Sequence, residues 1–141
     1  MYTERFSEAW EYLGGINPAS HSAEKNSGYK SLANYERAVI IIHAGVLGGN
    51  VDIDVEQGTD TSGTSGKALD SNTKDITLTA TTDDNTVSVI EIRPEEFDIA
   101  NGFDCLNLEM TPASAGIFSA QIWAQPKYKP AATTNLDSVT D

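Results

Sequence analysis

Two histidines, one cysteine and a ladder of carboxylates are the residues with the most chemical capacity in this chain. His21 lies in a polar stretch and His43 at the end of an apolar run. A compact zinc site wants three or four ligands at local spacing, and HExxH, CxxC and paired-histidine spacings are all absent. Cys105 stands in Cys105-Leu106-Asn107-Leu108-Glu109-Met110. It reads as a small buried hydrophobe, with no histidine placed to make it a nucleophile. A Gly-x-Ser-x-Gly elbow, a Walker A pattern and a strand-preceded Gly-x-Gly-x-x-Gly are missing. Asp52, Asp54 and Glu56 alternate with Val51, Ile53 and Val55, so the three carboxylates share one strand face, the solvent face by alternation. Their mutual repulsion would favour a cation, and a weak calcium site completed by Asp60, or by Asp83 and Asp84, is open on ligand chemistry alone. The EF-hand spacing is not met, because Gln57-Gly58 follows Glu56 and no Glu stands at the twelfth position. Abundant carboxylates also leave a glycosidase-like pair open, but nothing in the spacing selects one. The expectation is a protein that is not an enzyme, with no catalytic residue, no cofactor and no committed metal site.

Most of the chain reads as strands. Residues 37–44 contain Val39-Ile40-Ile41-Ile42, a β-branched run that suits a strand buried on both faces. The turn Gly48-Gly49-Asn50 then suggests a hairpin to the alternating strand 51–56. Further alternation appears at 76–81, 87–92, 105–110 and 117–124, with Pro94 ending the second of these. The glycine- and serine-rich stretch 58–66 reads as a flexible loop. Six strands without a βαβ rhythm predict an all-β antiparallel sandwich, jelly-roll-like, over residues 29–129.

Before it, Phe6, Trp10 and Leu13 fall four and three residues apart and predict one face of a short helix, stopped by Gly14-Gly15 and the Asn17-Pro18 turn. Residues 1–28 then form an N-terminal arm. Phe6, Trp10, Tyr12 and Leu13 are its candidate interface residues, because aromatic anchors dominate interface energetics. The alternative is that they cover one end of the sandwich. Residues 130–141, polar, Thr-rich and acidic, predict a flexible tail or an arm that orders on a partner.

Charge narrows the partners. Nine Lys+Arg against 21 Asp+Glu give a formal charge of −12, and residues 38–66 hold no cation at all. Phosphate backbones and anionic membranes are bound by clustered cations, so neither nucleic acid nor a membrane surface is an expected partner. No signal peptide is visible at the N-terminus, and the single cysteine excludes an internal disulfide framework.

The order of features carries a resemblance. Tyr35-Glu36-Arg37-Ala38 leads into the apolar run ending in Ala44-Gly45. A glycine turn follows, then Val55-Glu56-Gln57-Gly58-Thr59-Asp60, then Glu91-Ile92-Arg93, Phe103-Asp104-Cys105-Leu106-Asn107-Leu108 and finally Ala124-Gln125-Pro126-Lys127. This pattern resembles small virion proteins of tailed bacteriophages, of the head-decoration or cement kind. The resemblance implies a viral structural protein on the capsid surface, made in the host cytoplasm. It also implies that the protein is often a homotrimer, bound to the major capsid protein lattice where it bridges neighbouring capsomers. It carries over no catalytic residues. The rival reading is a carbohydrate- or ligand-binding sandwich module, such as a phage tail component. It asks for an exposed row of aromatics, for which Tyr35, Trp123 and Tyr128 are the strand candidates.

Overall fold

Period-two alternation in the sequence becomes strand after strand. The computed structural model describes residues 4–128 and Leu136; the tail expected over 130–141 otherwise lies outside the described residues. A four-residue helix α1 (Phe6–Ala9) precedes β1 (Glu11–His21), β2 (Lys25–Asn26), β3 (Lys30–Ser31), β4 (Tyr35–Leu47) and β5 (Val51–Gly58). They are followed by β6 (Lys67–Ala68), β7 (Ile76–Leu78), β8 (Val87–Ile92), β9 (Cys105–Pro112) and β10 (Gly116–Pro126). One sheet has the order β1-β10-β4-β8 and the other β2-β9-β5-β6, with β3 also on β9 and β7 also on β5. Every pairing is antiparallel. Taking β2 with β3, and β6 with β7, as interrupted strands turns ten into eight. The sheet orders then read one-eight-three-six and two-seven-four-five, the winding of a jelly roll. The all-β sandwich expected from alternation is the fold.

The core lies between the two central pairs. From β4 and β10, Ala38, Ile40, Ile42, Phe118, Ala120, Ile122 and Ala124 point inward; from β5 and β9, Val51, Ile53, Val55, Leu106, Leu108 and Met110 meet them. Fully burying each Ile, Leu, Val or Phe side chain contributes roughly 1.5–3 kcal/mol relative to exposure.

Several expectations are corrected. The helix stops at Ala9, not Leu13: Trp10 is already extended, and Glu8 closes the turn by accepting the Arg5 amide at 2.9 Å. Gly14 and Gly15 do not stop a helix. Gly15 lets β1 press against β10, where a Cβ would lie 2.0 Å from the Ala120 carbonyl oxygen, and Gly14 takes φ +121° at a register shift. The sandwich therefore begins at β1, inside the stretch expected to be an arm, and the Asn17-Pro18 turn is instead a register shift between Ile16 and Ala19.

The β4–β5 hairpin does not form, since the two strands sit in opposite sheets. Gly48-Gly49-Asn50 is a crossover that packs beside the β9–β10 crossover. The Gly48 amide donates to the Ala115 carbonyl at 3.0 Å, and the Ala113 amide donates to the Asn50 carbonyl at 2.8 Å. Nor is β4 buried on both faces: Ile40 and Ile42 are core, while Val39 and Ile41 are half-buried on the outer side.

Finally, residues 58–66 form a built turn and not flexible filler. Asp60 accepts the Ser62 and Thr64 amides at 2.9 and 3.1 Å, and Gly58, Gly63 and Gly66 close around the Tyr29 ring. A Cβ at Gly58 or Gly63 would fall 2.8 or 2.5 Å from the ring, and one at Gly66 2.4 Å from the hydroxyl oxygen. The Tyr29 hydroxyl donates to Glu56 at 2.8 Å, and burial together with that carboxylate pushes its pKa up to about 12.

Two substitutions test strand facing. Ile53→Asp buries an unpaired carboxylate, a cost of several kcal/mol against a total stability of about 5–15 kcal/mol, so no cooperative thermal transition is expected. Ile41→Asp, on the outer face, keeps a cooperative transition close to that of the parent. Gly63→Ala, at φ +80° and against the Tyr29 ring, lowers the urea midpoint, whereas Gly102→Ala, with open space around its Cβ position, lowers it less.

Candidate interaction surface

The two outer faces of the sandwich differ in chemistry. On the β1-β10-β4-β8 sheet the pairing register stacks outward residues into rows. Tyr12 lies beside Trp123, Trp123 beside Val39, and Val39 beside Glu91. The next row runs Gln121, Ile41, Val89, and the next Ser119, His43, Val87. Val87, Val89 and Ile117 are 58%, 57% and 49% exposed, so apolar side chains also stand on this face away from the aromatic corner.

The aromatic corner is built by α1 and the start of β1. Phe6, 58% exposed, leans on Trp123 with ring centres 4.9 Å apart and planes tilted 58°. It stacks on Trp10 at 6.5 Å, and Tyr12 meets Trp123 at 5.2 Å and 48°. The Arg37 guanidinium covers Trp10 at 5.1 Å and is steadied by Gln125, which accepts its Nε–H at 2.9 Å. The Trp123 indole N–H donates to Gln121. Of the four candidate interface residues, Phe6, Trp10 and Tyr12 are thus brought together with Trp123. Leu13 goes elsewhere and packs against the core. Arg37, Val87 and Val89 were missed as surface residues. Their signal was the outward phase of alternation in β4 and β8, masked by the apolar run around them.

The opposite sheet is acidic. Asp52, Asp54 and Glu56 project outward from β5, and Asp54 lies directly across from Glu109 on β9. Like charges directly opposed in a sheet are destabilising. Partial burial, then Asp75, Asp52 and Glu56, raises the Asp54 pKa; partial burial, then Glu24, Glu56 and Asp54, raises that of Glu109.

The other chemically capable residues are held in structural roles. Asp83 accepts the Thr79 amide and Asp84 the Leu47 amide, while Asp60 organises its own loop, so the carboxylates considered for calcium are dispersed. Among the described residues, no three His, Cys, Asp or Glu side chains are grouped to hold a metal ion. His21 is buried, bonds to the Asn17 carbonyl oxygen at 2.9 Å and lies against Phe118. His43 is exposed on the outer face of β4. Cys105 is buried beside Asp104, and burial followed by that carboxylate pushes its pKa up to about 12, which keeps it a thiol.

The acidic face sets a pH dependence. Asp54 and Glu109 titrate above their ordinary values in the folded chain, so folding takes up protons as pH falls through that raised range, and stability rises. Asp60 and Asp98, held by hydrogen bonds from Thr64 and Lys67 respectively, titrate below the ordinary value, and their contribution is lost at more acid pH. The urea midpoint is therefore expected to climb from neutral pH toward the upper carboxylate range and then to drop. Asp54→Asn raises the midpoint at neutral pH and flattens the climb; a midpoint that falls monotonically from neutral pH contradicts this assignment.

No family model matches the chain, and no curated protein matches it either. Among solved structures it is similar to a subunit of Bacillus endospore appendages, described as disulfide-linked pili. That likeness has 13% identity and a TM-score of 0.44, over 90% of this chain and 99% of the other. It is also similar to the coat protein of Tobacco streak virus, at 6% identity and a TM-score of 0.41, over 98% of this chain and 100% of the other. At this distance neither likeness bears on function.

Proposed function

We propose that this chain is a non-enzymatic structural protein of a virion, a head-decoration or cement protein. In this reading it binds the outer surface of a capsid through the outer face of the β1-β10-β4-β8 sheet and bridges neighbouring capsomers as a homo-oligomer. One observation carries the reading: Phe6, Trp123, Val39, Ile41, Val87 and Val89 gather on one outer face of the sandwich, while the carboxylates cluster on the other. Exposed apolar patches of this kind mark interaction sites, and aromatic anchors ringed by polar groups supply most of the affinity. Docked by that face, the chain turns its acidic face away from the shell. The order of sequence features, which resembles that of small phage virion proteins, supports a major capsid lattice as that partner.

The purified protein is expected to bind emptied cognate capsids with a saturable stoichiometry set by shell symmetry and to raise their melting temperature. Val89→Asp, exposed and harmless to folding, weakens that binding at least tenfold. Shells that neither contain nor take up the chain contradict the reading. So does equal binding by parent and Val89→Asp. Specific capture on a glycan array would favour the carbohydrate-binding alternative.

A further inference from the structure

The outer face of the β1-β10-β4-β8 sheet is poor in charge. The outward positions of β10 from Ile117 to Gln125 are uncharged, and those of β4 and β8 with the residue after it carry Arg37, Glu91 and Arg93. Two cations against one carboxylate leave a positive spot there, on a chain of net charge −12. Ala38 pairs with Ile92, so Arg37 and Arg93, one position beyond on each strand, sit side by side. Like charges directly opposed on a sheet are unfavourable unless an anion lies between them. Among the described residues, Lys67 and Lys74 are ion-paired with Asp98 and Glu96, whereas neither of these arginines is in an ion pair.

Beside the aromatic corner these residues line a cleft of about 130 Å³, together with Trp10 and Val39. A water takes up about 30 Å³ of liquid, so the space suits a carboxylate and the one or two methylenes that carry it. Arg37 is preset for such a group. Its guanidinium lies over the Trp10 ring at 5.1 Å, and its Nε–H donates to Gln125 at 2.9 Å. The two terminal NH2 groups are left as a fork that matches a carboxylate edge. The Arg93 amide donates to Glu96 at 2.9 Å, which anchors the backbone from which the second guanidinium extends. Trp10 and Val39 supply apolar wall for a short aliphatic stem.

We infer that the Arg37–Arg93 cleft is a carboxylate-binding site, and that it receives an Asp or Glu side chain of the protein docked against this face. The site itself stands on the cleft and its two arginines; only the source of the carboxylate rests on the docking role proposed above. Within an interface rich in apolar and aromatic contacts, one charged subsite of this kind fixes register and discriminates between partners more than it adds affinity.

The test has two arms. In the first, the full chain labelled with ¹⁵N is titrated with N-acetyl-glutamate methylamide at constant ionic strength, while the Arg37 Nε–H and Trp10 indole signals are followed. Saturable shifts are expected, with half-saturation in the tens of millimolar, as suits an exposed ion pair. The neutral isostere N-acetyl-glutamine methylamide leaves both signals in place. Arg93→Gln abolishes the response, and Lys25→Gln, on the other sheet, keeps it. Arg93 is exposed and touches none of the stacked rings, so its variant folds. No saturable shift in the parent, equal shifts with the glutamine compound, or a response unchanged in Arg93→Gln overturns the site. In the second arm, Arg93→Gln weakens binding to emptied cognate capsids about fivefold, a difference that shrinks at high salt. Equal capsid binding by parent and Arg93→Gln overturns the assigned source of the carboxylate. Capsids that take up neither protein contradict the docking role instead, and the titration still decides the cleft.

Discussion

The inner faces of two strand pairs hold the molecule in place. β4 and β10 present Ile40, Ile42, Phe118, Ala120 and Ile122, and β5 and β9 present Val51, Ile53, Val55, Leu106, Leu108 and Met110. Small residues from one pair, Ala38, Ala120 and Ala124, lie among the larger ones, as a close-packed interface between twisted sheets requires. Because side chains alternate strictly, committing one face of each strand to this contact also fixes what the other face shows to the outside. A one-residue slip in β10 would bury Gln121 and Trp123 and expose Ile122, so register is set by the core and the outer surfaces follow from it.

From that constraint comes the division of the surface. The outward phase of β4, β8 and β10 holds Val39, Ile41, Val87, Val89, Ile117 and Trp123, and α1 folds over the end of this strip to place Phe6 on Trp123. The outward phase of β5 and β9 holds Asp52, Asp54, Glu56 and Glu109. Repulsion between Asp54 and Glu109 is a standing cost that the core must offset. A sheet face that carries such a cost, opposite one where Trp123, Val39, Ile41, Val87 and Val89 gather, suits a protein with one side against a partner and one side toward solvent.

How much of this is legible in the sequence depends on the range of the interaction that decides it. The all-β sandwich and the solvent face of Asp52, Asp54 and Glu56 follow from local alternation. The failed hairpin across Gly48-Gly49 does not, because a short glycine turn serves equally well to cross between sheets, and only contact with Ala113 and Ala115 settles which. Helical spacing of Phe6, Trp10 and Leu13 was overridden by pairing of β1 with β10, a long-range contact that local spacing does not reveal. The loop at 58–66 looks like filler until Tyr29, distant in sequence, is placed inside it. At the candidate surface, Phe6, Trp10 and Tyr12 were readable as aromatic anchors. Their partner Trp123 and the cation Arg37 join them only through the β1-β10-β4 register.

Radical footprinting of the chain free and on its particle addresses the central claim directly, that the outer face of the β1-β10-β4-β8 sheet is the one a partner covers. The account predicts that Phe6, Tyr12, Trp123 and Val89 lose reactivity on assembly while Tyr29 and Ile76, on the acidic side, keep theirs. Protection of Tyr29 and Ile76 with Trp123 and Val89 unchanged would contradict it.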